Sequence, residues 1–143
     1  MASPELDRLV SINVLSAEAP IRAEFEGLLS DAAATLTDAQ NASLSPESRF
    51  RLAYGAVHSI ALAALRWHGY RPRNRQIVFQ ALAHTLHTPA SVWKMLARSH
   101  EQRNRREYEG SGEIDERLLR DVIAAGIELL ALVQQLQPPE ETD

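Results

Sequence analysis

Apolar residues recur at spacings of three and four along most of this chain, the signature of amphipathic helices. A weak first helix is expected over residues 1–18, with Leu6, Leu9, Val10 and Val14 on one face. Pro20 suits the first turn of a second helix, whose stripe is Ile21, Phe25, Leu28, Leu29, Ala32, Leu36 and Ala39. Asn41 to Ser45 forms a loop, and Ser45-Pro46 pairs a capping hydroxyl with a proline at the first helical position. The third helix runs to about His68 and buries Phe50, Ala53, Tyr54, Val57, Ala61, Ala64 and Leu65. Gly69 ends it, and Arg71-Pro72-Arg73 forms a turn. Asn74 caps a fourth helix carrying Ile77, Val78, Leu82 and Leu86. Thr88-Pro89 opens a fifth helix through about Tyr108, with Val92, Trp93 and Leu96 inward and His100 at the margin of that face. Gly110-Ser111-Gly112 breaks the chain before a last helix with Ile114, Leu118, Val122, Ala125, Leu129, Val133 and Leu136. Pro138-Pro139 stops it and leaves residues 138–143 as a frayed tail. No strand-like alternation, internal repeat or Gly-rich phosphate loop interrupts the pattern. The expected fold is all-α, an up-and-down bundle of four to five helices with an extra N-terminal helical segment over residues 1–44.

At 143 residues the chain matches one domain with one core. It contains no cysteine, which excludes a disulfide framework, thiolate zinc sites and a cysteine nucleophile. The start MASPELDRLV lacks the basic and apolar regions of a signal peptide. The most apolar stretch, Val57 to Leu65, falls far short of the about 20 residues that span a bilayer. A cytoplasmic protein without membrane contact is expected.

Charge changes the picture most. The net charge is −4, yet residues 49–106 hold eleven of the fifteen basic side chains and one acid, Glu101. Fourteen of the fifteen bases are arginine, whose planar fork pairs with phosphate or carboxylate through two parallel hydrogen bonds. Two readings follow from this asymmetry. The basic middle meets a phosphate-bearing partner, or it is neutralised by the acidic flanking helices or across a dimer interface.

Two stretches carry a family resemblance: RFRLAYGAVHSIALAALRWHGYRP at 49–72 with FQALAHTL at 79–86, and RSHEQRNRREYEG at 98–110 leading into the last helix. Residues 46–137 resemble the HEPN superfamily, in particular its small bacterial stand-alone members. The resemblance implies a HEPN-like helical core, a homodimer, and RNA as substrate or ligand. It also implies metal-independent endoribonuclease activity of the toxin–antitoxin or defence type, with a cognate antitoxin or other partner protein and no cofactor. The family motif is an arginine, often followed by asparagine, with a histidine four to six residues further on. Carried onto this chain, the arginine is Arg103 and the asparagine Asn104, but the histidine's place is taken by Tyr108, and no histidine follows His100. RNA binding with weak or lost cleavage is therefore the expectation.

The chemistry explains the weight of that replacement. Metal-free cleavage needs a base for the 2′-hydroxyl proton and cations on the phosphate. Arg103 serves only as a cation, and an unshifted tyrosine with pKa near ~10 is a poor base. His100, three residues before Arg103, is the nearest substitute. The candidate catalytic residues are thus Arg103, Asn104, Tyr108 and His100. Candidate ligand contacts are Arg98, Arg105, Arg106 and Tyr54, the last because its helix packs beside the motif helix in the family. Arg51 and His58 also show an Arg-x6-His spacing, on a different helix from the motif. Arg66, Arg71, Arg73 and Arg75 form a second basic run, expected to be exposed. No histidine pair has carboxylate neighbours at metal-ligand spacing, so no metal is expected. The competing function is a non-catalytic helical dimerisation or protein-interaction module.

Overall fold

The computed structural model describes residues 3–109 and 114–140, with side chains through Arg105 in the first span. The side chains of Arg106 and Tyr108, the Gly110-Ser111-Gly112 break and residues 141–143 lie outside the described residues. The fold is an all-α bundle with one small two-stranded sheet.

Helix α1 spans Pro4–Ser11, with the Ser3 hydroxyl accepting from the Leu6 amide. It ends well short of residue 18. Asn13 takes a left-handed conformation (φ 67°), and strand β1 (Leu15–Ala17) follows. This strand pairs antiparallel with β2 (Tyr70–Pro72), in the register Leu15↔Pro72, Ser16↔Arg71 and Ala17↔Tyr70. The Arg71-Pro72-Arg73 stretch, expected as a turn, is thus largely strand. Three residues are too few to display alternation, and the pairing joins segments some fifty-five residues apart, so no local pattern announces it.

Helix α2 (Arg22–Ala39) and helix α3 (Pro46–Trp67) pack along each other, and α7 (Glu116–Gln134) closes the bundle against both. The Ser45 hydroxyl accepts from the Ser48 amide and Pro46 opens α3, as its sequence dictates. Asp115 caps α7 by accepting from the Arg117 and Leu118 amides. Gly126 lies where α7 crosses α2 and α3; a Cβ there would sit 3.0 Å from Leu36 Cδ1 and 3.1 Å from Val57 Cγ1. The missing side chain permits the close crossing.

The fourth predicted helix is two short ones, α4 (Gln76–Gln80) and α5 (Leu82–Thr85), divided at Ala81. Phe79 and Leu82 enter the main core, whereas Ile77 and Ala81 join a second apolar cluster with Leu6, Leu15, Leu65 and Tyr70. Asn74 Oδ1 accepts from the Ile77 amide and starts the turn. Helix α6 (Ala90–Glu109) then packs across α4 and α7.

Arg66 corrects the expectation of an exposed basic run. Its side chain is 1 % exposed at the end of α3. Nε donates to Glu24 Oε1 at 2.6 Å, Nη1 to the Glu18 carbonyl at 2.8 Å and the Tyr70 carbonyl at 3.3 Å, and Nη2 to the Ala19 carbonyl at 2.8 Å. Nη2 also lies 3.3 Å from the Glu18 carboxylate, and Arg71 reaches the same two carboxylates, Glu18 at 2.6 Å and Glu24 at 2.9 Å. Burial pushes the Glu24 carboxyl up, but the two guanidinium partners outweigh it and hold its pKa below the ordinary value. Only Arg73 and Arg75 of that run are exposed. For Arg66 and Arg71, internal neutralisation by the acidic N-terminal segment is the correct account of the charge asymmetry.

Candidate functional site

Tyr54 and His58 are one helical turn apart on α3 and face the same neighbours. Their rings stack with centroids 6.2 Å apart, and Phe79 of α4 meets both edge-on, at 5.8 and 5.9 Å. Helix α6 lays His100, Arg103 and Asn104 against this aromatic floor. The Tyr54 hydroxyl lies 2.9 Å from His100 Nδ1, Asn104 Nδ2 lies 3.1 Å from His100 Nε2, and the Arg103 guanidinium stands 5.5 Å over the Tyr54 ring. Arg103 Nη1 also donates to Asn104 Oδ1 at 3.4 Å.

These contacts have one consistent direction. With Oδ1 of Asn104 turned to Arg103, its amide N–H points at His100 Nε2, which must then be the lone-pair nitrogen. The imidazole proton resides on Nδ1 and is donated to the Tyr54 oxygen. A polar chain runs from guanidinium through amide and imidazole to phenol, and it holds His100 in one tautomer and one orientation.

Electrostatics keep both histidines neutral. Burial lowers the His58 pKa to about 4, helped by the charges of Arg75 and Arg103 and, once it is protonated, of His100. His100 is lowered by burial first, then by Arg103 and Arg75, against a small opposing pull from Glu101. His58 Nε2 is enclosed and has no hydrogen-bond partner among the described residues. At neutral pH the site therefore offers an uncharged imidazole beside a permanent cation, a pairing suited to moving a proton next to an anion.

Of the residues singled out in the sequence, Tyr54, His100, Arg103 and Asn104 come together here. Arg98 does not. It is exposed on another side of α6, in a groove against α7 with Asp121, Met95 and Glu128. Arg105 is exposed and, among the described residues, forms no ion pair with Glu101 four residues before it. Arg51 is exposed, whereas His58, seven residues on, belongs to the site. Sequence reasoning gave no role to Phe79 and noted His58 only for its spacing to Arg51. A better signal for His58 is its position four residues after Tyr54, on the same side of the helix. Among the described residues, no group of three or more His, Asp or Glu side chains is placed to hold a metal ion, and no helix is long and apolar enough to cross a membrane. No protein-family model, curated protein or solved structure matches the chain.

Proposed function

We propose that this chain is a HEPN-type RNA-binding protein in which Arg103 and Asn104 address the phosphate backbone and His100 supplies a slow, metal-independent cleavage. The observation that carries the reading is the directed polar chain Arg103–Asn104–His100–Tyr54. In the cleavage step the 2′-oxygen attacks phosphorus and the P–O5′ bond breaks. The 2′-hydroxyl proton passes to Nε2 of His100, and the departing 5′-oxygen takes a proton from water. Arg103 offsets the charge that builds on the phosphoryl oxygens. Asn104 must release Nε2 before it can accept the proton, so binding outpaces cutting.

Labelled RNA in EDTA tests this. Wild-type protein is expected to bind with affinity that falls steeply with salt, as neutralised phosphates release counterions. Arg103→Ala is expected to lose binding and any cleavage. Because the His100 pKa lies below its ordinary 6.5, cleavage should rise with pH through a midpoint under 6.5 and be flat at neutrality. Binding or cleavage unchanged in Arg103→Ala would sink the reading. For the toxin–antitoxin setting, induced expression should arrest growth, and Arg103→Ala should relieve the arrest.

A second reading, the non-catalytic dimerisation module, draws on Ile127 and Leu132 of α7, which are 47 % and 43 % exposed. It predicts a dimer in sedimentation that Ile127→Asp dissociates and that ignores RNA.

A further inference from the structure

The cleft between α6 and α7 holds charged groups that the Arg103 cluster does not use. At one end, Arg98 of α6 meets Asp115, Arg117, Leu118 and Asp121 around the start of α7, and together they line a polar cavity of about 410 Å³. Arg98 and Asp121 also line a second cavity of about 340 Å³, with the apolar Val92, Met95, Ala124 and Ala125 along it and Glu128 at its edge. Two shared walls make the pair one continuous cleft. Residue numbers fall along α6 as they rise along α7, so Arg117 and Glu128 stand at opposite ends.

All five charged residues of the cleft are exposed, and none forms an ion pair among the described residues. Arg117 and Asp121 stand one helical turn apart, the spacing at which such pairs close, yet they stay unpaired. Asp115 accepts from the Arg117 and Leu118 amides, so the start of α7 is already capped and the cleft offers side chains rather than amides. Three carboxylates face two guanidiniums, one negative charge in excess. A simple anion meets Asp121 beside Arg98, and a simple cation meets Arg98 and Arg117. A molecule with both signs and one surplus positive charge complements the whole.

The geometry points to a free α-amino acid with a long basic side chain, lysine or arginine, as the ligand of this cleft. Its carboxylate sits between Arg98 and Arg117, and its α-ammonium on Asp121. Its aliphatic stem lies over Val92, Met95, Ala124 and Ala125, and its terminal cation reaches Glu128. Asp121 and Glu128 are two helical turns apart, about 10.5 Å along the axis, a span that an extended lysine covers with an ion pair at each end. The site is separate from the RNA reading, because Arg98 faces a different side of α6 from Arg103.

The test titrates the isotope-labelled full chain and follows amide shifts along α6 and α7. Lysine is expected to saturate them with a Kd of about 1 mM or tighter. Three analogues each delete one contact: cadaverine lacks the carboxylate, ε-aminocaproate the α-ammonium and norleucine the terminal ammonium. Each should bind roughly fivefold more weakly, the worth of one ion pair at an open surface. Arg98→Gln should bring lysine down to the level of cadaverine, and Glu128→Gln to that of norleucine. Both side chains are exposed, so both variants should keep the fold. No saturation by lysine or arginine at about 10 mM overturns the proposal. So does any of the three analogues binding as tightly as lysine, or lysine binding that either variant leaves unchanged.

Discussion

Arg66 at the end of α3 and Arg103 on α6 carry the same guanidinium under opposite constraints. Arg66 is sealed from water and spends its donors on two carboxylates and three backbone carbonyls. The contacts described for Arg103 are an amide oxygen and the face of an aromatic ring, on a side chain that is still partly open to solvent. A cation locked to fixed acceptors holds segments of chain together. A cation resting on an amide and a ring can leave them for a better acceptor, and a phosphate is one. Arginine content alone does not separate these roles, whereas the partners do.

The sharpest way to break this comparison is to delete each guanidinium in turn. Arg66→Ala takes from Glu24 its buried partner, leaving it only Arg71, and strips three carbonyls of their guanidinium donor, and a loss of about 3–5 kcal/mol is expected in urea unfolding. Arg103→Ala should cost within about 1 kcal/mol while abolishing RNA binding. Equal losses would erase the distinction.

Acid should separate the two regions by pH window. His58 titrates near 6.5 when unfolded and near 4 when folded, so the unfolded state binds protons first. The stability it lends is complete above pH 6.5 and is lost as pH falls toward 4, by roughly 3 kcal/mol. His58→Gln should flatten that limb of a stability-against-pH curve. Glu24, held below its ordinary 4.5, lends stability above that pH and loses it as the pH falls further. The Arg66 region should therefore outlast the histidine region on acidification.

Smaller effects refine the picture. Tyr54→Phe removes the hydroxyl beside His100 Nδ1 and should cost about 1 kcal/mol in unfolding while letting the His100 ring reorient. Arg71→Ala, at a third-exposed side chain sharing acceptors with Arg66, should cost less than about 1 kcal/mol. A larger loss from Arg71 than from Arg66 would invert the assignment of the buried partner.

The sequence disclosed those elements whose signals are local. Ser45-Pro46 marks the start of α3, the three-four spacing marks α7, and i, i+4 geometry joins His100 to Asn104. What it hid depends on distance. The β1–β2 pairing, the burial of Arg66 by residues 18–24, and the meeting of His58 with α6 all join segments more than forty residues apart. Arg66 was misplaced because an arginine near a turn looks solvated until the opposing carboxylates are in view. Arg98 was misplaced because five residues along a helix rotate it well away from Arg103, despite their closeness in the chain. The family resemblance drew attention to the Arg103–Asn104 pair; the tertiary contacts add His58 and Phe79.

The Arg66 node also orders events in folding. Its acceptors at Glu18 and Ala19 lie forty-eight and forty-seven positions away in sequence, and they can be engaged only after the last turn of α3 exists. The first strand, its partner and the surrounding Leu6–Leu15–Tyr70 cluster should therefore open and close as one cooperative unit. Amide exchange at Glu18 and Arg73, which donate to the Gly69 and Val14 carbonyls, would then proceed at a common rate, distinct from that of the α3–α7 interior.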